Sequence, residues 1–374
     1  MLKNNKTWFL FFILLISAFF FNYTNKVKVD YASNTTVTKN PSSGENKQLI
    51  EPITLNSQQP KAKLVEEASN EENIIECSQE SFVEEEEDIE AQLQHFQSLS
   101  SSTSQDRQLE YILFAQLPDK SKLELLLEYN NKFPNNSLAL METVSLCTLI
   151  SNSKCNKSLI DAAITSDKDN GAMWLHSALF FASQSDNDGV LTSISELLKT
   201  PFFNEKYGER IKLYAQALEG TGAYDFHTNI IGGIGVEAAR PLPFNHIFKW
   251  CKESATITKI NACLQLGINL EKRSKTGMSQ LLGMHMQKLI FKAESNIKLY
   301  QLVEEASKTL MKPLYSKEFH KASSLMFHNE KLLRHWLENL DVIGEIESAE
   351  VLIEEAIYIS QEKGTNLCKT SQSQ

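Results

Sequence analysis

Six cysteines and eight histidines carry most of the chemistry that this 374-residue chain has to offer. Four of the cysteines fall in two close pairs, Cys147 with Cys155 and Cys251 with Cys263, leaving Cys77 and Cys368 far apart. Cys147 and Cys155 stand at the end of one expected helix and the start of the next. Cys251 and Cys263 flank a turn between two others. Either spacing lets two Cβ atoms meet across a helical hairpin, so in an oxidising compartment both pairs read as disulfides. In a reducing compartment the same side chains would simply be small and buried. Zinc is disfavoured, because there is no C-x-x-C and no paired cysteine lies within a turn of a histidine. His320, His328 and His335 share a face if one helix carries them. Yet a spacing of eight residues is about 12 Å of rise, too far for one ion.

No H-E-x-x-H, G-x-S-x-G or Walker sequence occurs, and no Ser/His/Asp set is flagged by spacing alone. Gly233, Gly235 and Ala238 echo the phosphate-binding glycine fingerprint. They lack the strand before them and the βαβ unit around them that this chemistry needs, so a hinge or a tight helix contact is expected instead. The residues therefore nominate no catalytic group, no cofactor and no metal ligand.

The elements that must position these residues are helical. From Asp106 onward apolar residues recur at helical spacing and little reads as strand. Leu109–Leu117 and Ser121–Asn130 form a first hairpin, broken by Pro118. The best-defined stretch is Asp167–Val190. Asp169 and Asn170 are good N-caps, because their side-chain oxygens accept the free N–H groups of a first turn. Trp174, Ala178 and Phe181 then fall at i, i+4 and i+7 on one face. Ser183–Asp188 is a polar turn, and Val190, Ile194 and Leu197 repeat the same spacing. Two such short helices are unstable alone and must bury their apolar faces against neighbours.

Asn204–Leu218 is the next expected helix. Gly220–Pro243, with five glycines and two prolines, is expected to be the main irregular stretch. The helices Asn245–Lys252, Ile257–Lys272, Thr276–Ser295, Ile297–Lys308, Ser316–His328, Glu330–Leu340 and Ile343–Glu362 follow, then a polar tail from Gly364.

The N-terminus is of another kind. Lys3 and Lys6 precede the apolar run Trp8–Tyr23, which at ~1.5 Å per residue spans roughly 24 Å, a little short of a bilayer core. This fits a signal anchor or a signal peptide, and the absence of a small-x-small cleavage pattern favours the uncleaved anchor. The basic start keeps the N-terminus inside, with everything after Tyr23 outside the cytoplasm. Val27 to about Gln105 is polar and broken by Pro41, Pro52 and Pro60, a composition that cannot bury enough apolar surface to order itself. Between Lys61 and Glu90 there are twelve acids against two lysines, an excess equal to the whole-chain net charge of −10. The acidity thus belongs to the tether. The near-neutral remainder lacks the basic footprint of a nucleic-acid binder. Within the tether, Glu85–Phe96 has Ile89, Leu93 and Phe96 on one helical face and could dock on the domain.

The stretch Pro134–Pro201 resembles tetratricopeptide repeats. Trp174, Ala178, Phe181 and Val190 occupy that family's aromatic, small, aromatic and small positions, with Pro201 near the usual exit. Ser177 stands where Leu is common. Leu140, Val144 and Cys147 repeat the first three positions 34 residues earlier, the period of this repeat. The surroundings of Cys263 to Gly267 and of Leu281 to Met284 are similar to uncharacterised extracytoplasmic helical proteins of Gram-negative bacteria. These resemblances imply an architecture and a peptide-binding concave face, and no activity.

The resulting expectation is an all-α, tetratricopeptide-like helical-repeat protein. A cytoplasmic stub (1–7) leads to the membrane segment (8–23) and a disordered acidic linker (24–105). TPR-like hairpins (106–219), a Gly/Pro-rich connection (220–243), a C-terminal helical domain (244–363) and a disordered tail (364–374) follow. Its expected role is a non-catalytic scaffold for a protein or peptide partner, held in the periplasm at the inner membrane. The alternatives are an exported soluble protein after signal cleavage, and a cell-envelope enzyme or glycan-binding protein with a site near 220–243.

Overall fold

A computed structural model describes residues 74–75, 86–219, 226–240, 243–253 and 256–363. The expected membrane segment, most of the acidic linker, parts of 220–243 and the tail from 364 lie outside the described residues. Among the described residues no helix is long and apolar enough to cross a membrane.

The helices run in chain order as α1 (Glu86–Ser98), α2 (Gln105–Phe114), α3 (Asp119–Lys132), α4 (Ser137–Leu149), α5 (Lys157–Ser166) and α6 (Gly171–Ser183). Next come α7 (Asn187–Leu197), α8 (Tyr207–Glu219), α9 (Phe226–Ala238), α10 (Asn245–Lys252), α11 (Ile257–Arg273) and α12 (Gly277–Ala293). The last are α13 (Ile297–Leu310), α14 (Lys312–Tyr315), α15 (Lys317–Met326), α16 (Glu330–Val342) and α17 (Glu345–Lys363). No strand occurs among the described residues; an isolated parallel bridge pairs Asn170 with Phe202.

Local sequence sets where the helices begin. Asn136, Asn156, Asn170, Asp186, Asn296 and Asn329 each accept a backbone N–H of the first turn, as N-caps should. Thr256, Thr276 and Ser316 do the same with a hydroxyl. Three stops use a left-handed residue just past the helix: Ser185 (φ 58°), Ser295 (φ 55°) and Gly344 (φ 103°).

Helix pairs pack around one large core and two smaller ones. The largest joins α2–α7 to α10–α12, with Leu123, Leu126, Met141, Ile160, Ala178, Ile194 and Leu266 wholly buried. The second gathers Ile211 and Ala215 of α8, Ile230 of α9, and the inner faces of α15, α16 and α17. The third is aromatic. Phe96 of α1 lies 5.5 Å from the Phe114 ring and 5.1 Å from Tyr214, and the last two are 5.1 Å apart. Within the linker otherwise expected to be disordered, the helix expected over Glu85–Phe96 is present as Glu86–Ser98 and is docked through Phe96. Phe96 anchors it in the third core against Tyr214, Ala217 and Leu218 of α8 and Phe114 of α2.

The Gly/Pro-rich connection also needs correcting. Residues 226–238 of the stretch expected to be irregular form α9. The reason is close approach. A Cβ on Gly232 would sit 2.8 Å from the Tyr214 ring, and one on Gly233 would sit 3.1 Å from the Ile211 carbonyl oxygen. The glycines let α9 lie tight on α8. The same device joins α11 to α12, where a Cβ on Gly283 would sit 2.6 Å from the Gly267 carbonyl oxygen.

Candidate functional site

The residues singled out by spacing fall into the helical hairpin α6–α7 and its predecessor α4–α5. Ala178 and Val190 are fully buried, and Leu140 and Val144 nearly so. Trp174 and Phe181 are half-buried. The Trp174 indole donates to the Lys168 carbonyl at 2.9 Å. Phe181 packs over Gly189, where a Cβ would meet its ring at 2.5 Å. Ser177 faces Ser193 across the hairpin, and their hydroxyls hydrogen-bond at 2.9 Å in a buried position. The Ser193 hydroxyl also reaches the Gly189 carbonyl, at 2.8 Å. Asn170, wholly buried, fixes the hairpin to the segment after it: its Nδ2 donates to the Asn204 carbonyl (2.8 Å) and its Oδ1 accepts the Asn204 N–H (2.9 Å).

Both cysteine pairs are disulfides. Cys147 at the end of α4 joins Cys155 before α5, with Cα atoms 5.6 Å apart. Cys251 of α10 joins Cys263 of α11, at 5.9 Å. Both separations lie within the range that the bond requires. The three histidines do not share a helix: α15 ends at Met326, and Asn329 caps α16. His335 instead pairs with Glu355 at 2.6 Å in a shallow charged depression. Among the described residues no cluster of three or more His, Cys, Asp or Glu is placed to hold a metal.

The strongest electrostatic feature lies elsewhere, where α4, α6, α8 and α9 meet. Helix α4 is buried over every residue from Leu138 to Thr148, so each polar group on it needs a partner. Glu142 finds two. Arg240, just past α9, makes a very short ion pair with it, and the Arg210 Nη1 of α8 lies 3.5 Å from its carboxylate. Arg210 also donates Nε to Glu237 at 2.7 Å and Nη1 to the Glu205 carbonyl at 2.8 Å.

Burial pushes the Glu142 carboxyl up, but Arg240, Arg210 and Lys122 outweigh it and hold it below the ordinary carboxylate range. His176 of α6 is buried beside these groups, and its Nδ1 has no hydrogen-bond partner among the described residues. Burial first, then Arg240 and Arg210, lower its pKa to about 3. The imidazole is therefore neutral and a very weak base, and the carboxylates are committed to guanidiniums. These groups pin helices together rather than move protons.

A second polar junction gathers at the start of α12. Glu205 accepts the Lys275 N–H (2.8 Å) and the Thr276 hydroxyl (3.0 Å). Glu345 accepts the Gly277 N–H (2.8 Å), and its own N–H donates to the Lys275 carbonyl (2.7 Å). Burial raises both carboxyls despite these bonds. The two acids join the loops before α8, α12 and α17.

Spacing gave no hint of the ion cluster, because its members are scattered over positions 142, 176, 210, 237 and 240. The signal that was present is composition: Glu142 is the one charged residue in the apolar run Leu138–Leu149, and such a residue calls for a buried partner.

The exposed face of the C-terminal half is distinctive in another way. Helix α13 has no buried residue. Ile297 and Leu302 on it are 60% and 57% exposed, and Tyr315 of α14 is 66% exposed.

No protein-family model, no curated protein and no solved structure matches the chain.

Proposed function

We propose that this chain is a non-catalytic interaction protein of tetratricopeptide-like build, working outside the cytoplasm behind an N-terminal anchor. The observation that carries the interaction reading is α13. A helix with large apolar side chains on its solvent side and packing on one side only is what a partner-facing surface looks like. The two disulfides support an oxidising compartment, since cytosolic thiols are kept reduced. The 34-residue offset between α4–α5 and α6–α7, the small Ala178 inside the hairpin and the Phe181–Gly189 contact support the repeat reading.

The partner site is α13 with α14 rather than the inner face of α4 and α6. In an open repeat array that inner face would be a groove. Here Arg210 of α8 and Arg240 just past α9 pair with Glu142, Glu237 of α9 pairs with Arg210, and His176 is buried beside them. Of the charged groups in 220–243, Glu237 and Arg240 are committed to Arg210 and Glu142. The partner is a protein segment with an apolar stripe that completes the half-covered face of α13.

The test is crosslinking of the full chain in its own cells, comparing the natural sequence with Ile297→Asp/Leu302→Asp. Both positions are exposed, so the double variant should fold normally by circular dichroism. A discrete heteromeric adduct that disappears in the variant is the expected result. An adduct pattern indifferent to the two aspartates overturns the reading.

A further inference from the structure

The ion cluster beside α4 holds one cation more than it neutralises. Lys122 of α3, Arg210 of α8 and Arg240 carry three positive charges around Glu142. Glu142 and Glu237 answer two of them. Among the described residues Lys122 has no ion pair; its ammonium donates to the Leu113 carbonyl at 2.9 Å. Two further acids act on the cluster from its edge. Asp119 acts on Lys122 from an exposed position, where water and salt screen it. Glu205 acts on Arg210, but its oxygens are taken by Lys275 and Thr276, and burial raises its carboxyl towards the neutral form. Burial holds the Lys122 ammonium below its ordinary range, and burial with Arg210 does the same to Arg240. A buried charge without a counter-charge is costly.

The cluster also holds donors that no protein group uses. An ammonium has three N–H bonds, of which Lys122 spends one on Leu113. A guanidinium has five, and Arg240 reaches Glu142 through Nη2. His176 of α6 is only 7% exposed, and its Nδ1 has no partner. Glu142 and Arg240 act on both Lys122 and His176, which places these side chains around one spot. A buried polar atom left alone in this way marks the place of a water or an ion.

We propose that the cluster binds one small monovalent anion of the chloride type, held by Lys122, Arg240 and the Nδ1–H of His176. One negative charge brings the three cations and two carboxylates to neutrality; a dianion would overshoot. The anion is small because α4 is buried over every residue from Leu138 to Thr148. Its role is to complete the junction of α3, α4, α6 and α9, so that these helices lock only where the anion is present. This holds whatever partner α13 takes.

The experiment is urea unfolding of the full chain at constant ionic strength, with sodium chloride replacing sodium gluconate, whose anion is too large to enter. The folded-to-unfolded ratio should rise about tenfold for each tenfold rise in chloride once the site is filled. Bromide should substitute for chloride. Lys122→Met, which removes the surplus cation, should abolish the dependence, and Lys122→Arg should keep it. His176→Leu should raise the chloride needed about tenfold, as expected for one hydrogen bond to a charged group. Equal stability in chloride and gluconate overturns the proposal and leaves a water, or nothing, at His176. A chloride dependence that persists unchanged in both Lys122→Met and His176→Leu also overturns it, because the anion then binds elsewhere. If Lys122→Met does not fold, His176→Leu decides alone.

Discussion

His176 is a histidine with an unpaired ring nitrogen beside two guanidiniums, and a titration should find it. Its folded pKa, about 3, lies below its unfolded value of roughly 6.5. As the pH falls below that value the unfolded chain takes up a proton and the folded chain does not. Stability associated with neutral His176 is therefore present above about pH 6.5 and lost on acidification, by about 1.4 kcal/mol per pH unit. Glu142 acts in the same sense, since a lowered carboxyl pKa means stability lost as the pH falls through the folded value. Glu205 and Glu345 oppose it, because raised values favour the folded state in acid. A comparison isolates His176. Relative to His176→Leu, the natural chain should lose about 2 kcal/mol of stability between pH 7 and pH 5 in urea unfolding. A difference that does not change with pH would mean that His176 titrates normally. In the same cluster, Glu142→Ala leaves Arg210 and Arg240 without their shared carboxylate. The expected loss is about 3–5 kcal/mol at pH 7, read from the same unfolding curves.

Two glycines report on how the helices meet. Gly283→Ala drives a methyl against the Gly267 carbonyl, a backbone atom that cannot step aside. It should destabilise by about 1–3 kcal/mol. Gly235→Ala, with nothing within 4 Å of its Cβ, should instead stabilise α9 by about 0.5–1 kcal/mol. Thermal unfolding of the pair checks both signs at once; equal effects would contradict the assigned packing. The two cases also show what was legible from sequence. Caps such as Asn170, Asp186 and Thr276 announce helix starts because their chemistry is local. A glycine does not say whether it serves a turn or a close helix contact. Residues 226–238 therefore read as irregular although they are helical. The i, i+4, i+7 spacing of Trp174, Ala178 and Phe181 located the hairpin, whereas the pairing of Glu142 with Arg210 and Arg240 is a long-range fact that no local pattern encodes.

At the scale of the molecule, helix pairs of the described region share three cores and are fastened by two disulfides in addition to apolar burial. Each closes a short loop and should contribute about 2–3 kcal/mol. Urea unfolding with and without reductant should therefore differ by about 5 kcal/mol, and Cys147→Ser/Cys155→Ser should account for roughly half of that loss. The same two bonds carry the compartment assignment, because they form only where thiols are oxidised. The most direct measurement is the thiol state of Cys147, Cys155, Cys251 and Cys263 in the full chain, with cells quenched in acid and thiols blocked before lysis. The account predicts all four unreactive until reduction and fully reactive after it. Four thiols blocked before reduction would contradict it and return the domain to a reducing compartment.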